Sequence, residues 1–245
     1  MKAYSILFLA GLFFNLCGFA AEPQPQNADI QPFVHWLLDD GERLEDVRFA
    51  AVAEAVSGRR VLPVDRSDAV DAAMLAQVEA SLDAMLQELA KPENAIHAVG
   101  RVNEISRHVE DFLLQQLNAL EGYECSIPPN ASGKEQRSGY PDLRFVHSAS
   151  GRVFYIDPKV YKQGSERSRF RTFYFEPKRA TNKILDDASH LIVGVAHAGK
   201  VDGLWRLNAW KLVDLIDFRV RLKAEFQSSN RELYQAGAVL SEGGQ

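Results

Sequence analysis

The stretch that decides the fold is Gly139–Tyr161, GYPDLRFVHSASGRVFYIDPKVY. Two runs, DLRFVH and RVFYIDPKVY, carry β-branched and aromatic residues and flank Ser148-Ala149-Ser150-Gly151, which has good turn chemistry. The spacing predicts a hairpin in which residues whose numbers add to 299 face each other, so that Asp142 stands opposite Asp157. Opposed positions in an antiparallel pair share a face and lie within about 5.5 Å at Cα. Lys159 is two residues beyond Asp157 and therefore points to the same side. Two carboxylates that close repel unless a cation sits between them or one stays protonated. Charges set into an apolar sheet are costly without compensation, so this cluster has the character of a site.

Outward from the hairpin, the pattern changes character. Residues 32–92 read as helical, interrupted at Gly41 and Gly58, with an extended piece at RRVLPVD and a cap at Ser67 or Asp65. Met74, Leu75, Val78, Leu82, Met85, Leu86 and Leu89 repeat at helical spacing, the usual mark of a core face. A further helix is predicted over Glu93–Leu120, with Arg101, Glu104, His108 and Asp111 on a polar row. After it the period falls to two. YECSI is a candidate strand, and FRTFYFEP is expected to be another beyond the hairpin. RATNKILDDASH reads as a short helix, LIVGVAH as a strand covered on both faces, LWRLNAWKLVDL as a strand and Asp217–Tyr234 as an amphipathic helix. The fold class is α/β.

The N-terminal MKAYSILFLAGLFFNLCGFAA has a lysine, an apolar run and small residues before a Pro/Gln linker, the pattern of a cleaved export signal over residues 1–21. The apolar run is short for a membrane span, and no stable membrane association is expected once it is removed. The mature chain keeps one cysteine, Cys125, so no intramolecular disulfide is available and a buried, inert thiol is expected. His190 and His197 flank an apolar strand without zinc-ligand spacing.

Net charge over the 245 residues is −5, but its distribution is uneven. Between Lys134 and Lys183 there are twelve Lys/Arg against five Asp/Glu, leaving an excess of negative charge elsewhere. Such asymmetry predicts a cationic face for a polyanion.

Pro141-Asp142 followed by Asp157-Pro158-Lys159 resembles the signature of the PD-(D/E)xK nuclease superfamily, the restriction-endonuclease-like fold, over residues 93–200. The resemblance implies an αβββαβ core with a mixed central sheet, here joined to an N-terminal helical lobe. The implied division is a signal over 1–21, linker and helical lobe over 22–92, and a nuclease-like domain over 93–240. It implies Mg²⁺ or Mn²⁺ held by Asp142, Asp157, the Pro158 carbonyl and a helix glutamate, for which Glu104 is chosen over Glu110. Lys159 would orient or deprotonate water, or stabilise charge on phosphorus. The usual aliphatic residue in the triplet is here Pro158, a departure that bears on strand geometry. The partner implied is nucleic acid, with DNA expected, its backbone tracked by Arg167, Arg169, Arg171, Lys178 and Arg179 and a phosphate held by Lys183. Phe170, Phe173 and Tyr174 are interleaved with these cations and offer stacking. The function expected is an exported metal-dependent nuclease, and the alternative is a non-catalytic exported binding module on the same fold. Restriction is a cytoplasmic task, so export points instead to foreign or environmental DNA.

Overall fold

A computed structural model describes residues 30–40, 44–169 and 172–243. The chain divides into two compact units, Met1–Glu42 and Arg43–Gln245. The described part of the first is the helix α1 (Ile30–Asp40), on which Phe33 and Trp36 stack at 6.0 Å. The export signal expected over 1–21 lies outside the described residues.

In the larger unit, strand β1 (Val47–Arg48) leads into α2 (Phe49–Ser57), which ends at Gly58. Gly58 takes φ +68°, a left-handed conformation that glycine adopts without strain, and its N–H bonds the Glu54 carbonyl. Helix α3 (Ala69–Leu89) is capped by Asp68, whose carboxylate accepts from the Val70 and Asp71 N–H groups, and not by Ser67 or Asp65 as expected. Asp65 instead accepts from Ser67. The apolar stripe of α3 is buried as predicted, except that Leu86 is only partly covered. The helix expected from Glu93 is divided. A 3₁₀ turn over Ala95–Ala98 is capped by Asn94, and α4 (Val102–Asn118) starts after Gly100.

Strands β2 (Tyr123–Ser126), β3 (Leu143–His147), β4 (Arg152–Lys162), β5 (Ser189–Val201) and β6 (Leu204–Asp214) form one sheet in that order. Only the β4–β5 pair in this sheet is parallel. The β3–β4 register pairs Leu143 with Ile156 and Phe145 with Phe154, as the turn predicts. Alternation along β4 sends Phe154 and Ile156 into a core with α3 and α4, and Val153 and Tyr155 into a second core with α2. Helix α3 therefore belongs to the sheet unit, and the helical lobe expected over 22–92 is not a separate body beyond Glu42. Strand β7 (Arg219–Val220) pairs with β1, and α5 (Asn230–Leu233) is one turn.

Three expected elements do not form. FRTFYFEP is irregular over its described residues and joins no ladder of the five-stranded sheet. Its alternation survives as packing: Phe173 and Phe175 lie against the α2 core, whereas Tyr174 is exposed. RATNKILDDASH forms turns where the resemblance implies the second core helix. There Asn182 bonds both the N–H and the carbonyl of Ile184, and the Tyr155 hydroxyl accepts from the Leu185 and Asp186 N–H groups. These side chains take the backbone groups that a helix would use. Over Asp217–Tyr234 the inward residues are Phe218 and Val220, two apart, which is strand spacing, and Leu222, Phe226 and Leu233 are exposed.

Cys125 is buried on β2, and burial pushes its thiol up to about 12. Iodoacetamide at neutral pH is expected to leave Cys125 unmodified in the folded protein and to alkylate it in about 6 M guanidinium, checked by peptide mass mapping.

Candidate active site

Strand pairing and strand length build the site together. β3 stops at Leu143, so beyond Ile156 strand β4 runs on with a partner on one side only, β5. Pro158, which lacks an N–H, falls in this stretch and pairs in register with Val193, so the strand passes through the proline unbroken. Asp157 continues the face of Val153 and Tyr155 and is 2% exposed. Asp142, just ahead of β3, meets it from the other arm of the hairpin. Lys159 contacts the Asp157 carboxylate directly, and its Nζ lies 3.6 Å from Asp142 Oδ2 and 3.3 Å from the Pro158 carbonyl. The two acids and the lysine read from the sequence are therefore one cluster.

The electrostatics follow from crowding. Burial, and then the charge of Asp142, push Asp157 well above the usual carboxylate range, with Lys159 opposing. Burial would lower Lys159, but the charges of Asp157 and Asp142 outweigh it and hold the ammonium above its ordinary value. Lys159 is therefore a cation at neutral pH.

Glu110 on α4, weighed against Glu104 from sequence, is the helix glutamate that senses this cluster. Burial and then Asp142 raise it to about 7, against the pull of Lys159 and Arg137. Glu104 is exposed at the start of α4, where its Oε2 accepts from the Gly100 and Arg101 N–H groups at 3.2 and 3.3 Å. Six residues separate them, about 9 Å along a helix. The helical periodicity placed Glu104 on a polar row but could not reveal which turn of α4 reaches the hairpin.

Lys183 is wholly buried, off any helix, and its Nζ donates to the Gly139 carbonyl at 3.0 Å. Burial lowers its pKa, while Asp142, Asp157 and Glu110 hold it up. It stands beside the acids and is not an exposed cation free to track a backbone. Arg167, Arg169, Lys178 and Arg179 are exposed along the connection between β4 and β5, with Lys178 paired to Glu176 at 2.7 Å. Arg171 and Phe170 lie outside the described residues. The connection is docked on the sheet by Arg144, which forks onto Asp186 at 2.7 and 2.8 Å, and by Tyr155, which donates to Asp186 at 2.6 Å.

Among the described residues no three His, Cys, Asp or Glu side chains are gathered closely enough to hold an ion by themselves. Asp142, Asp157 and the Pro158 carbonyl nevertheless offer oxygens alone, and Asp157 is crowded enough to favour a proton. A hard cation that keeps part of its water shell needs only one or two carboxylates. The donor set fits Mg²⁺ or Mn²⁺.

A buried carboxylate, a second that is largely buried and a charged lysine thus meet at one end of the β3–β4 hairpin, and the exposed cations lie on the β4–β5 connection. The comparison with known proteins gives the family. The type II restriction enzyme MjaV family is matched over residues 43–237. Type II restriction enzyme MjaV of Methanocaldococcus jannaschii is 30% identical over 212 residues, 81% of this chain and 90% of that protein. The chain therefore belongs to the type II restriction enzyme MjaV family, whose members are restriction endonucleases, DNA phosphodiesterases.

Proposed function

We propose that the chain is a Mg²⁺-dependent restriction endonuclease of the PD-(D/E)xK class that hydrolyses DNA phosphodiester bonds at the Asp142–Asp157–Lys159 cluster. The single observation that carries this reading is the hairpin, which brings Asp142, Asp157 and Lys159 together in a chain of the restriction-enzyme family. The order of α4, three antiparallel strands and a parallel β5 supports the same class, although the second core helix is replaced by turns. Family membership favours the enzyme over the non-catalytic binding module.

Asp142, Asp157 and the Pro158 carbonyl would hold the metal, with Glu110 in the role first given to Glu104. A bound divalent cation would supply Lewis acidity toward the scissile phosphate and toward water. Lys159, charged and in contact with Asp157, donates to the attacking water or to a phosphate oxygen as charge builds on it. Water attacks phosphorus and gives up a proton to solvent, the bond from phosphorus to one bridging oxygen breaks, and that oxygen takes a proton from solvent and leaves as a free hydroxyl end. Arg167, Arg169, Lys178 and Arg179 lie on the β4–β5 connection, where they can neutralise flanking phosphates.

Glu110→Gln is expected to lower the cleavage rate by about a hundredfold, and Glu104→Gln by less than about twofold, in a Mg²⁺ titration of DNA cleavage. Equal effects of the two would remove Glu110 from the site. Because Asp157 and Glu110 are both raised, protons compete for these oxygens in mild acid. The Mg²⁺ concentration for half-maximal cleavage should therefore rise as pH is lowered from about 8 to about 6. A requirement that does not change with pH would count against metal binding by these acids.

Export is a separate proposal, one that a restriction role in the cytoplasm opposes. It rests on the signal-like segment over 1–21, outside the region matched to the family. N-terminal sequencing after cell fractionation tests it: a chain starting just after Ala20 or Ala21 outside the cytoplasm supports export, and a cytoplasmic chain retaining Met1 or Lys2 refutes it.

A further inference from the structure

Tyr140 and His190 are buried polar groups that the chemistry above does not use. Tyr140 stands two residues ahead of Asp142. His190 stands on β5, opposite Tyr155 of β4. The Tyr140 hydroxyl lies 2.8 Å from His190 Nδ1, and the two rings are nearly parallel, 13° apart with centroids at 5.8 Å. Phe49, Phe173 and Phe175 pack edge-on against Tyr140 at 5.4, 5.5 and 5.8 Å. Tyr140 is 7% exposed and His190 is wholly buried. Burial keeps the imidazole neutral. The Tyr140 hydroxyl makes no other hydrogen bond among the described residues, and the second ring nitrogen of His190, Nε2, is buried without a hydrogen-bond partner there.

The placement has a mechanical consequence. Asp142 lies just outside the β3–β4 ladder, which ends at Leu143 and Ile156, so strand pairing does not fix it. Two hydrogen bonds hold its approach: Lys183 to the Gly139 carbonyl and Tyr140 to His190. β5 is also the strand in parallel register with β4 at Asp157, paired there with Ile192. His190 thus ties the arm that carries Asp142 to the strand pair that carries Asp157.

We propose that the Tyr140–His190 hydrogen bond sets the spacing of Asp142 from Asp157, making both positioning residues for the metal-binding pair. This rests on the reading of those two acids as metal ligands. Groups that orient a metal ligand typically change metal affinity or activity by about 10- to 100-fold when removed.

The test is calorimetric titration of Mn²⁺ into metal-free protein, with the thermal midpoint and the cleavage kinetics measured alongside. The proteins are wild type, Tyr140→Phe, His190→Phe, His190→Asn, the Tyr140→Phe/His190→Phe double variant and Asp157→Ala. Tyr140→Phe keeps the ring and its packing, yet should weaken Mn²⁺ binding about tenfold and lower kcat with KM for DNA unchanged. His190→Phe should do the same, and the double variant should lose no more than either single change. His190→Asn, which keeps a hydrogen-bonding amide near the Nδ1 position, should recover part of the loss. Wild-type Mn²⁺ affinity in Tyr140→Phe, additive losses, or losses that follow only a fall in thermal midpoint would each overturn the proposal. Wild-type Mn²⁺ binding that survives in Asp157→Ala would overturn the reading of the acids as ligands, and this proposal with it.

Discussion

Asp157→Asn is expected to abolish DNA cleavage and, in the same protein, to raise the thermal midpoint. The activity loss follows from removing a ligand oxygen and the partner of Lys159. The stability gain follows from burial. Asp157 is 2% exposed and faces Asp142, so its proton is held more tightly in the folded chain than in the unfolded one. For an acid shifted in this direction, stability is full below the ordinary carboxylate value and is lost as pH rises through the raised folded value. At about pH 8 and without metal, the ionised carboxylate opposes folding, and asparagine keeps the shape without the charge. A gain of about 1 kcal/mol or more is expected, read as a rise of about 2–4 °C for a domain of this size. Lys159 retains Asp142 as a partner, which limits the penalty on the lysine. A midpoint that falls at about pH 8 would show that the pair with Lys159 outweighs the crowding of the acids. Functional sites commonly keep such destabilising groups, and the restriction-enzyme chemistry proposed here gives Asp157 a reason to stay.

Asp71→Ala is expected to be strongly destabilising although it lies outside the site. Arg152 forks onto Asp71 at 2.6 and 2.9 Å and also donates to the Pro63 carbonyl at 3.1 Å and Ser189 Oγ at 2.7 Å. Ser189 in turn donates to the Leu62 carbonyl, and Asp71 accepts from the Asp65 N–H. One ion pair therefore joins the first turn of α3, the segment before it, and strands β4 and β5. Removing Asp71 leaves Arg152 largely buried without its partner, which costs about 3 kcal/mol, toward the low end of the buried-pair range because the arginine keeps some solvent contact. Burial raises the Asp71 carboxyl, but the hydrogen bonds from Arg152 and Asp65 and the Arg152 charge outweigh it and hold the pKa below the usual carboxylate range. The stability this group contributes is thus present above about pH 4 and lost as pH falls through its lower folded value. Urea unfolding of wild type and Asp71→Asn should differ clearly at about pH 7 and converge near pH 3. An equal difference at both pH values would assign the loss to packing and not to charge.

The hairpin was legible because its information is local. Turn chemistry at 148–151 fixed the register, and the register brought Asp142, Asp157 and Lys159 together before any tertiary contact was considered. The α3 stripe was legible for the same reason, as was the doubly covered β5. What failed depends on partners distant in sequence. The alternation at 172–176 suits a strand, but no free sheet edge receives it. RATNKILDDASH reads as a helix, yet Asn182 and the Tyr155 hydroxyl claim its backbone groups. Phe218 and Val220 belong to a strand-like approach to β1, which an amphipathic pattern over 217–234 conceals. At the site, Glu104 and Glu110 share a helix, and only the packing of α4 on the sheet separates the cap from the group that meets Asp142. Tyr140 and His190 carry no local signal of their pairing, since they lie fifty residues apart.

The most direct test of the central claim is cleavage of supercoiled plasmid by the purified chain with Mg²⁺, with EDTA, and with Asp157→Ala and Lys159→Ala in parallel. Cutting is expected to need the metal and to be lost in both variants while both remain folded. Cutting by the folded variants at the wild-type rate, or none by folded wild-type protein with Mg²⁺ on DNA of varied sequence, would contradict that claim.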